Sequence, residues 1–102
     1  MQSSMMKRVI IIGDETVEQR LLSEIQGMGA SGHTAYAVRG KGARGVRPRH
    51  GEPGNTKIEV IATADVARQI IEHVAKNYFE KYAMIAFIDD VEVLQGDKFR
   101  GK

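Results

Sequence analysis

The chain has 102 residues, of which 42% are apolar and 27% are charged. This length predicts one domain, residues 1–102, with an ordinary hydrophobic core. The sequence contains no cysteine, which excludes disulfides and cysteine-ligated metals. No apolar run approaches the ~20 residues that span a bilayer, and the N-terminus lacks the pattern of a signal peptide. We therefore expect a cytoplasmic protein that does not insert into membranes.

The charge is unevenly distributed, although the formal net charge is only +2. Residues 39–49 contain five lysines and arginines and no acid, whereas the rest of the chain carries ten cations against 13 acids. General nucleic-acid binding favours a broad basic face. A focused cluster of cations on a glycine-rich segment suits a small anion better.

The first half of the chain predicts a strand, a helix and a second strand. Val9–Ile12 is a β-branched run that ends at a glycine, as in a buried strand. Thr16–Gln19 has the form of a capping box, and His33–Val38 is the second strand. The apolar face of the helix between them comprises Val17, Leu21, Ile25 and Met28.

The second half repeats this order. Lys57–Ala62 alternates as a strand, and Asp65 is a plausible cap for a helix that reaches about Tyr82. Ala83–Ile88 is a fourth strand, which Val91–Leu94 continues or follows as a short separate strand. The order β-α-β-loop-β-α-β predicts a ferredoxin-like α+β fold, with an antiparallel sheet and both helices on one face.

The long connection Arg39–Thr56 contains five of the eleven glycines and both prolines. Its G-x-G-x-x-G run is not a dinucleotide-binding motif, because no helix starts after it. It is not a P-loop either, because Val46-Arg47 stands where that motif requires Lys-Ser/Thr. Glycine amides together with Arg44 and Arg47 could still surround a phosphate. Composition alone nevertheless favours a flexible, solvated loop over an anion site.

Other polar residues give weaker signals. The three histidines have no mutual ligand spacing, so we predict no metal site. The adjacent Asp89 and Asp90 are typical of a bend between strands. No nucleophile–base pair stands out, so we predict no catalytic residue. The aromatic residues Tyr78, Phe79 and Tyr82 have helical spacing and are expected in the core.

Two stretches resemble the PII signalling proteins. Thr34 followed by Val38-Arg39-Gly40-Lys41-Gly42 resembles the strand that enters their T-loop, and Lys57–Val60 resembles the strand that leaves it. Gly40–Arg47 and Glu92–Gly96 are similar to the carboxysome-associated branch, which is linked to inorganic carbon. The resemblance covers nearly the whole chain in the order of its elements.

This resemblance implies a homotrimer with adenine nucleotides in the inter-subunit clefts and a T-loop at about residues 40–56. It also implies bicarbonate as a second ligand. The target would be a protein that reads the T-loop, such as a bicarbonate transporter or a carboxysome-related protein. The implied nucleotide contacts are Thr34, Gly40, Lys41, Gly42, Ala43, Arg44, Arg47, Leu94 and Gly96.

The chain also departs from classical PII proteins. Glu80-Lys81-Tyr82 replaces a glycine- and lysine-rich loop, and Gln95 and Asp97 stand where paired arginines hold the outer phosphates of ATP. The resemblance therefore favours ADP or AMP, with ATP and cyclic AMP as further candidates. The leading hypothesis is a non-catalytic sensor. Alternatives are slow nucleotide phosphohydrolysis at the same site and a ferredoxin-like nucleic-acid binder, which would need exposed aromatic residues on the sheet.

Overall fold

A computed structural model describes residues 2–40 and 54–94 of the chain. Its four strands form one antiparallel sheet in the order β2-β3-β1-β4. This α+β architecture confirms the ferredoxin-like prediction. The elements in chain order are β1 (Ser3–Asp14), a 3-10 turn (Glu15–Val17), α1 (Glu18–Gly27), β2 (Thr34–Val38), β3 (Asn55–Ala62), α2 (Ala64–Asn77) and β4 (Ile85–Leu94).

The hydrophobic core lies between the sheet and the two helices. Alternate residues of a strand point to the same face, which places Val9 and Ile11 of β1 beside Ile58 and Val60 of β3. Each of these side chains is at most 1% exposed. Burying such a side chain contributes about 1.5–3 kcal/mol. The helices contribute mainly Leu21, Ile25, Ala67, Ile70 and Val74 to the same cluster.

Strand β1 is much longer than the apolar run that predicted it. Val9–Ile12 is the centre of a 12-residue strand. The Ser3–Met6 segment lies beyond the last β1–β3 pair, Lys7 opposite Ala62, and pairs with Val91–Leu94 of β4. The sequence did not indicate this extension because the serines at positions 3 and 4 and the cations Lys7 and Arg8 interrupt the apolar pattern.

Both predicted helix starts were wrong. Asp14, rather than Thr16, caps the first turn, because its Oδ1 accepts a 2.8 Å hydrogen bond from the backbone N–H of Thr16. Thr63 caps α2 and accepts from the backbone N–H of Val66. Asp65 lies one residue inside α2, where a carboxylate favours the positive end of the helix dipole.

Helix α2 ends at Asn77, five residues before the predicted end. Tyr78 has φ −125° and ψ −34°, which is outside the helical region, and its side chain is fully buried. Phe79 and Tyr82 pack at the edge of the core. The prediction that these aromatic residues lie in the core is confirmed for Tyr78, whereas Phe79 and Tyr82 are partly buried and are placed by turn geometry rather than helical spacing.

The two aspartates of β4 lie within a continuous strand, so the predicted bend was wrong. Asp89 is opposite Arg8, and Asp90 is opposite Lys7. The Lys7 ammonium and the Asp90 carboxylate are 2.5 Å apart. Opposite charges on facing strands stabilise the pair, and this explains why adjacent acids are accepted there. None of the helices in the described ranges is long and apolar enough to cross a bilayer.

Candidate functional site

The predicted T-loop leaves the sheet from a hairpin base formed by β2 and β3. Val38, the last residue of β2, pairs with Asn55, the first residue of β3. The returning strand therefore begins before Thr56, where the sequence analysis had ended the loop. Gly40 is exposed, and an added Cβ there would meet no atom of the described chain within 4 Å.

The start of α1 is hydrogen-bonded to the returning side of this hairpin. The backbone N–H of Glu15 donates to the carbonyl of Gly54 (3.0 Å), and the N–H of Gly54 donates to Oε1 of Glu15 (3.0 Å). The Thr56 hydroxyl contacts the Glu18 carboxylate and lies 3.4 Å from the carbonyl oxygen of Tyr36. The β3 side of the hairpin base is thereby connected to the start of α1, next to the end of β2.

Three of the nine predicted nucleotide contacts lie among the described residues. Thr34 is exposed at the start of β2, Gly40 follows the end of β2, and Leu94 is exposed at the end of β4. The remaining six, Lys41, Gly42, Ala43, Arg44, Arg47 and Gly96, lie outside the described ranges, as does the histidine at position 50.

Within one chain, the predicted nucleotide contacts at the hairpin base are far from the one at the end of β4. The hairpin base joins the sheet beside Asp14, the last residue of β1, because Asp14 pairs with Asn55. Leu94 pairs with Ser3, the first residue of β1. At ~3.3 Å per residue, the 12-residue strand separates these ends by about 36 Å. Gly40 and Leu94 could therefore share a ligand only if they came from different subunits.

A charged network crosses the sheet face opposite the helices. Arg8 donates from Nε (3.0 Å) and Nη2 (2.7 Å) to the two oxygens of Asp89. The Tyr36 hydroxyl donates to Glu59 (2.7 Å), and Arg8 and Lys57 lie within 4 Å of the same carboxylate. The bond from Arg8 lowers the pKa of Asp89, while the bond to Asp89 raises the pKa of Arg8.

Sequence reasoning missed this network. Its members occupy alternate positions on neighbouring strands, so they share a face only when the strand register is known. The pairing Arg8–Asp89 requires the full length of β1, which the apolar run at positions 9–12 did not indicate.

Apolar side chains lie beside the charged network. The register sets Phe87 opposite Ile10 and Ile85 opposite Ile12. Phe87 is 41% exposed and Ile85 is 50% exposed. Large exposed apolar groups on one sheet face indicate a contact surface. We refer to Phe87 and Ile85, together with the half-buried Ile12 and the buried Ile10 beside them, as the open-face patch.

On the helix side, a second polar network joins α1 to the end of α2. The Tyr78 hydroxyl donates to Glu24 (2.5 Å) and accepts from Nε of Arg20 (3.0 Å). His73 Nε2 lies 2.7 Å from the same Glu24 oxygen, and the Nδ2 of Asn77 lies 3.1 Å from His73 Nδ1. His73 is thus part of a helix–helix contact rather than freely solvated.

The pKa values in this network shift in opposite directions. Partial burial acts to raise the pKa of Glu24, but the hydrogen bonds from Tyr78 and His73 outweigh it, and the pKa is lowered. Burial and the bond to Glu24 raise the pKa of Tyr78. Within residues 2–40 and 54–94, no three acidic or histidine side chains are arranged to hold a metal.

A polar cavity of about 450 Å³ separates α1 from β2. Glu18, which contacts Thr56, is part of its wall, and His33 and Ala35 line it from the β2 side. Gln19, Ser23 and Gln26 face it from α1. The cavity therefore adjoins the hairpin base, and the described lining includes none of Thr34, Gly40 and Leu94.

A family model described as Nitrogen regulatory protein P-II matches residues 6–98. The chain is also 35% identical to a Thermus thermophilus protein assigned to the PII-like signalling proteins. That similarity covers 97% of this chain and 99% of the other, with a TM-score of 0.85.

Two further solved structures share the fold at lower identity. The PII-like protein CPII from Thiomonas intermedia K12, bound to ADP, AMP and bicarbonate, is 20% identical, with 98% of each chain covered and a TM-score of 0.86. GlnK of B. subtilis in complex with ATP is 18% identical, with coverage of 89% of this chain and 85% of the other and a TM-score of 0.60. With its ferredoxin-like sheet and the hairpin base between β2 and β3, the chain belongs to the P-II family of signalling proteins.

Proposed function

We propose that the protein is a non-catalytic sensor that binds an adenine nucleotide, with ADP or AMP preferred over ATP, together with bicarbonate. The observation that carries the proposal is the hairpin base. Gly40 is exposed two residues after the end of β2, and the sequence that follows it combines glycines with Arg44 and Arg47. Backbone amides and guanidinium groups of this kind bind phosphate oxygens. The ligands named for CPII support the same chemistry.

The proposed site lies between subunits of a homotrimer. Two features of the single chain support this arrangement. Gly40 and Leu94 lie at opposite ends of β1, so a ligand that touches both needs two chains. The open-face patch exposes Phe87 and Ile85 to solvent in the single chain, and burial against other copies would remove this apolar surface from water.

The signal would be a change in the population of loop states. A nucleotide that binds one arrangement of the T-loop more tightly shifts the equilibrium toward it by the difference in affinity. Phosphate contacts from Gly40, Gly42, Ala43, Arg44 and Arg47 would offset the entropy lost when the loop is ordered. A target protein that controls bicarbonate transport or carboxysome activity would then bind one of the two states.

Calorimetric titration with AMP, ADP and ATP, each with and without bicarbonate, tests the proposal. We expect ADP or AMP to bind more tightly than ATP, and bicarbonate to change the affinity. A particle mass near three times the 11.3 kDa of one chain is expected from light scattering. If no adenine nucleotide binds below millimolar concentration, the sensor proposal is wrong. Steady turnover of ATP would instead favour the phosphohydrolase alternative.

The nucleic-acid alternative can be judged against the open sheet face. Tyr36 and Phe87 are exposed aromatic residues on that face, as such a function requires. On the same face Arg8 and Lys57 are paired with the carboxylates of Glu59 and Asp89, so their charges are neutralised and the network offers phosphates no net positive charge. We therefore favour the sensor, and salt-sensitive binding of a single-stranded RNA would contradict this choice.

A further inference from the structure

We infer that Glu15, Glu18 and Thr56 are positioning residues that fix the hairpin base for the proposed nucleotide site. This inference rests on the proposed function, because it assigns these residues to the same site. They form what we call the hairpin tether, which consists of the Glu15–Gly54 pair and the Glu18–Thr56 contact. Neither acid belongs to the predicted nucleotide contacts.

The local fold explains why two acids face the same strand. Asp14 caps the chain at the end of β1, and a 3-10 turn follows directly. Residues three apart are eclipsed on such a turn. Glu15 and Glu18 are three apart, and both are hydrogen-bonded to the beginning of β3. The tether is thus a consequence of the tight turn between β1 and α1.

Thr56 is the central residue of the tether. Its side chain is 3% exposed, and it is the buried polar residue of the described core. A hydroxyl has one hydrogen to donate, and two acceptors are near it, the Glu18 carboxylate and the Tyr36 carbonyl at 3.4 Å. Glu18 is the closer acceptor and carries the charge, so it takes the hydrogen. This bond joins β3 to α1 at the level of the last residues of β2.

The reciprocal Glu15–Gly54 bonds set the direction in which the chain enters β3. Both are 3.0 Å long, and together they hold the peptide at Gly54 against the helix start. A Cβ at Gly54 would meet no atom of the described chain within 4 Å, so packing does not fix this residue. Hydrogen bonds do so instead, and their loss would leave Gly54 held only through its neighbour Asn55, which pairs with Asp14 and Val38.

The test compares two disruptive variants with one rescue variant. Thr56→Val keeps the shape of the side chain but removes the donor, and Glu18→Ala removes the acceptor. Thr56→Ser keeps the hydroxyl. Thr63→Val is the matched control, because it removes the hydroxyl that caps α2 and costs stability away from the hairpin base.

Calorimetry with ADP gives the first measurement. We expect Thr56→Val and Glu18→Ala to weaken ADP binding about tenfold, Thr56→Ser to restore the wild-type value, and Thr63→Val to lower the melting temperature with an unchanged Kd. Wild-type affinity in Thr56→Val would overturn the inference, as would equal weakening in Thr63→Val, since stability alone would then explain the loss.

Amide hydrogen exchange of the ligand-free protein gives the second measurement and does not depend on nucleotide binding. The amide of Gly54 should exchange faster in Glu15→Ala, which removes the acceptor of that N–H, than in the wild type or in Thr63→Val. Unchanged exchange would overturn the tether itself. If the wild type binds no nucleotide, the proposed function is wrong, and so is the assignment of these residues to a nucleotide site. Faster exchange of the Gly54 amide would still establish the tether in that case.

Discussion

The phenolic hydroxyl of Tyr78 lies 2.5 Å from Oε1 of Glu24 and donates its hydrogen to that carboxylate. This bond connects the residue that follows α2 to the middle of α1. Because the Tyr78 ring is fully buried while Glu24 reaches solvent, the pair lies at the boundary between core and surface.

The first prediction concerns this bond. Tyr78→Phe keeps the ring but removes a hydroxyl bonded to both Glu24 and Arg20. We expect the free energy of unfolding to fall by about 1–3 kcal/mol, measured by urea denaturation. Tyr36→Phe is the matched control, since it removes an exposed tyrosine–glutamate bond. An equal loss in both variants would show that burial does not strengthen the Tyr78 bond.

The second prediction concerns acid pH. The pKa of Glu24 is lowered in the folded protein, so its ionised form stabilises the fold above the unfolded pKa of about 4.3. This contribution is lost as the pH falls through the folded value. The wild type should therefore exceed Glu24→Gln in stability near pH 6, and the difference should shrink toward pH 3. A difference that is constant with pH would contradict the ionic role of Glu24.

The third prediction concerns the open-face patch. Phe87→Asp places a charge where the trimer proposal requires an apolar contact, so we expect a monomer in light scattering with circular dichroism unchanged. Gln69→Asp, at an exposed position of α2, serves as the control and should keep the wild-type mass. If the Phe87→Asp protein keeps the wild-type mass, the subunit contact must lie on another surface.

The fourth prediction compares two glycines near the end of α1. Gly29 has φ +105°, a conformation in which a side chain is strained, whereas Gly27 is helical with open space around it. Gly29→Ala should lower the free energy of unfolding by about 1 kcal/mol or more. Gly27→Ala should be neutral or stabilising, since alanine favours the helix. A lower melting temperature for Gly27→Ala than for Gly29→Ala would contradict the backbone geometry.

The fifth prediction concerns the loop itself. Arg44→Ala should weaken ADP binding by about 1.5–3 kcal/mol, the value of a charge-assisted hydrogen bond. Arg68→Ala removes an exposed cation of α2 and should leave the affinity unchanged. Unaltered affinity in Arg44→Ala would show that this guanidinium is solvated rather than bound to phosphate.

The sequence predicted the order of elements and most of the core because apolar periodicity reports which face of each element is buried. The periodic residues Leu21, Ile25, Ile70 and Val74 are all buried. The same periodicity does not indicate which polar side chains bond to one another. The length of β1, the caps of the 3-10 turn and of α2, and the position of Asp89 within β4 depend on cross-strand ions and single hydrogen bonds.

The candidate site was predictable to a lesser extent. The hairpin between the second and third strands was located correctly, and resemblance rather than composition supplied the nucleotide contacts. The hairpin tether was not predicted, because Glu15 and Thr56 are 41 positions apart and meet the same hairpin base only through strand register. Thr56 had been counted as part of the loop, and its burial gave no signal in the sequence.

The separation of Gly40 from Leu94 along β1 has a genetic consequence. If each cleft takes its hairpin base from one subunit and its β4 end from another, a variant damaged at Gly40 and a variant damaged at Leu94 carry complementary defects. Mixed assemblies of two such inactive proteins would contain some clefts in which both contributions are intact. Co-expression of the pair would then recover part of the nucleotide binding that neither protein has alone.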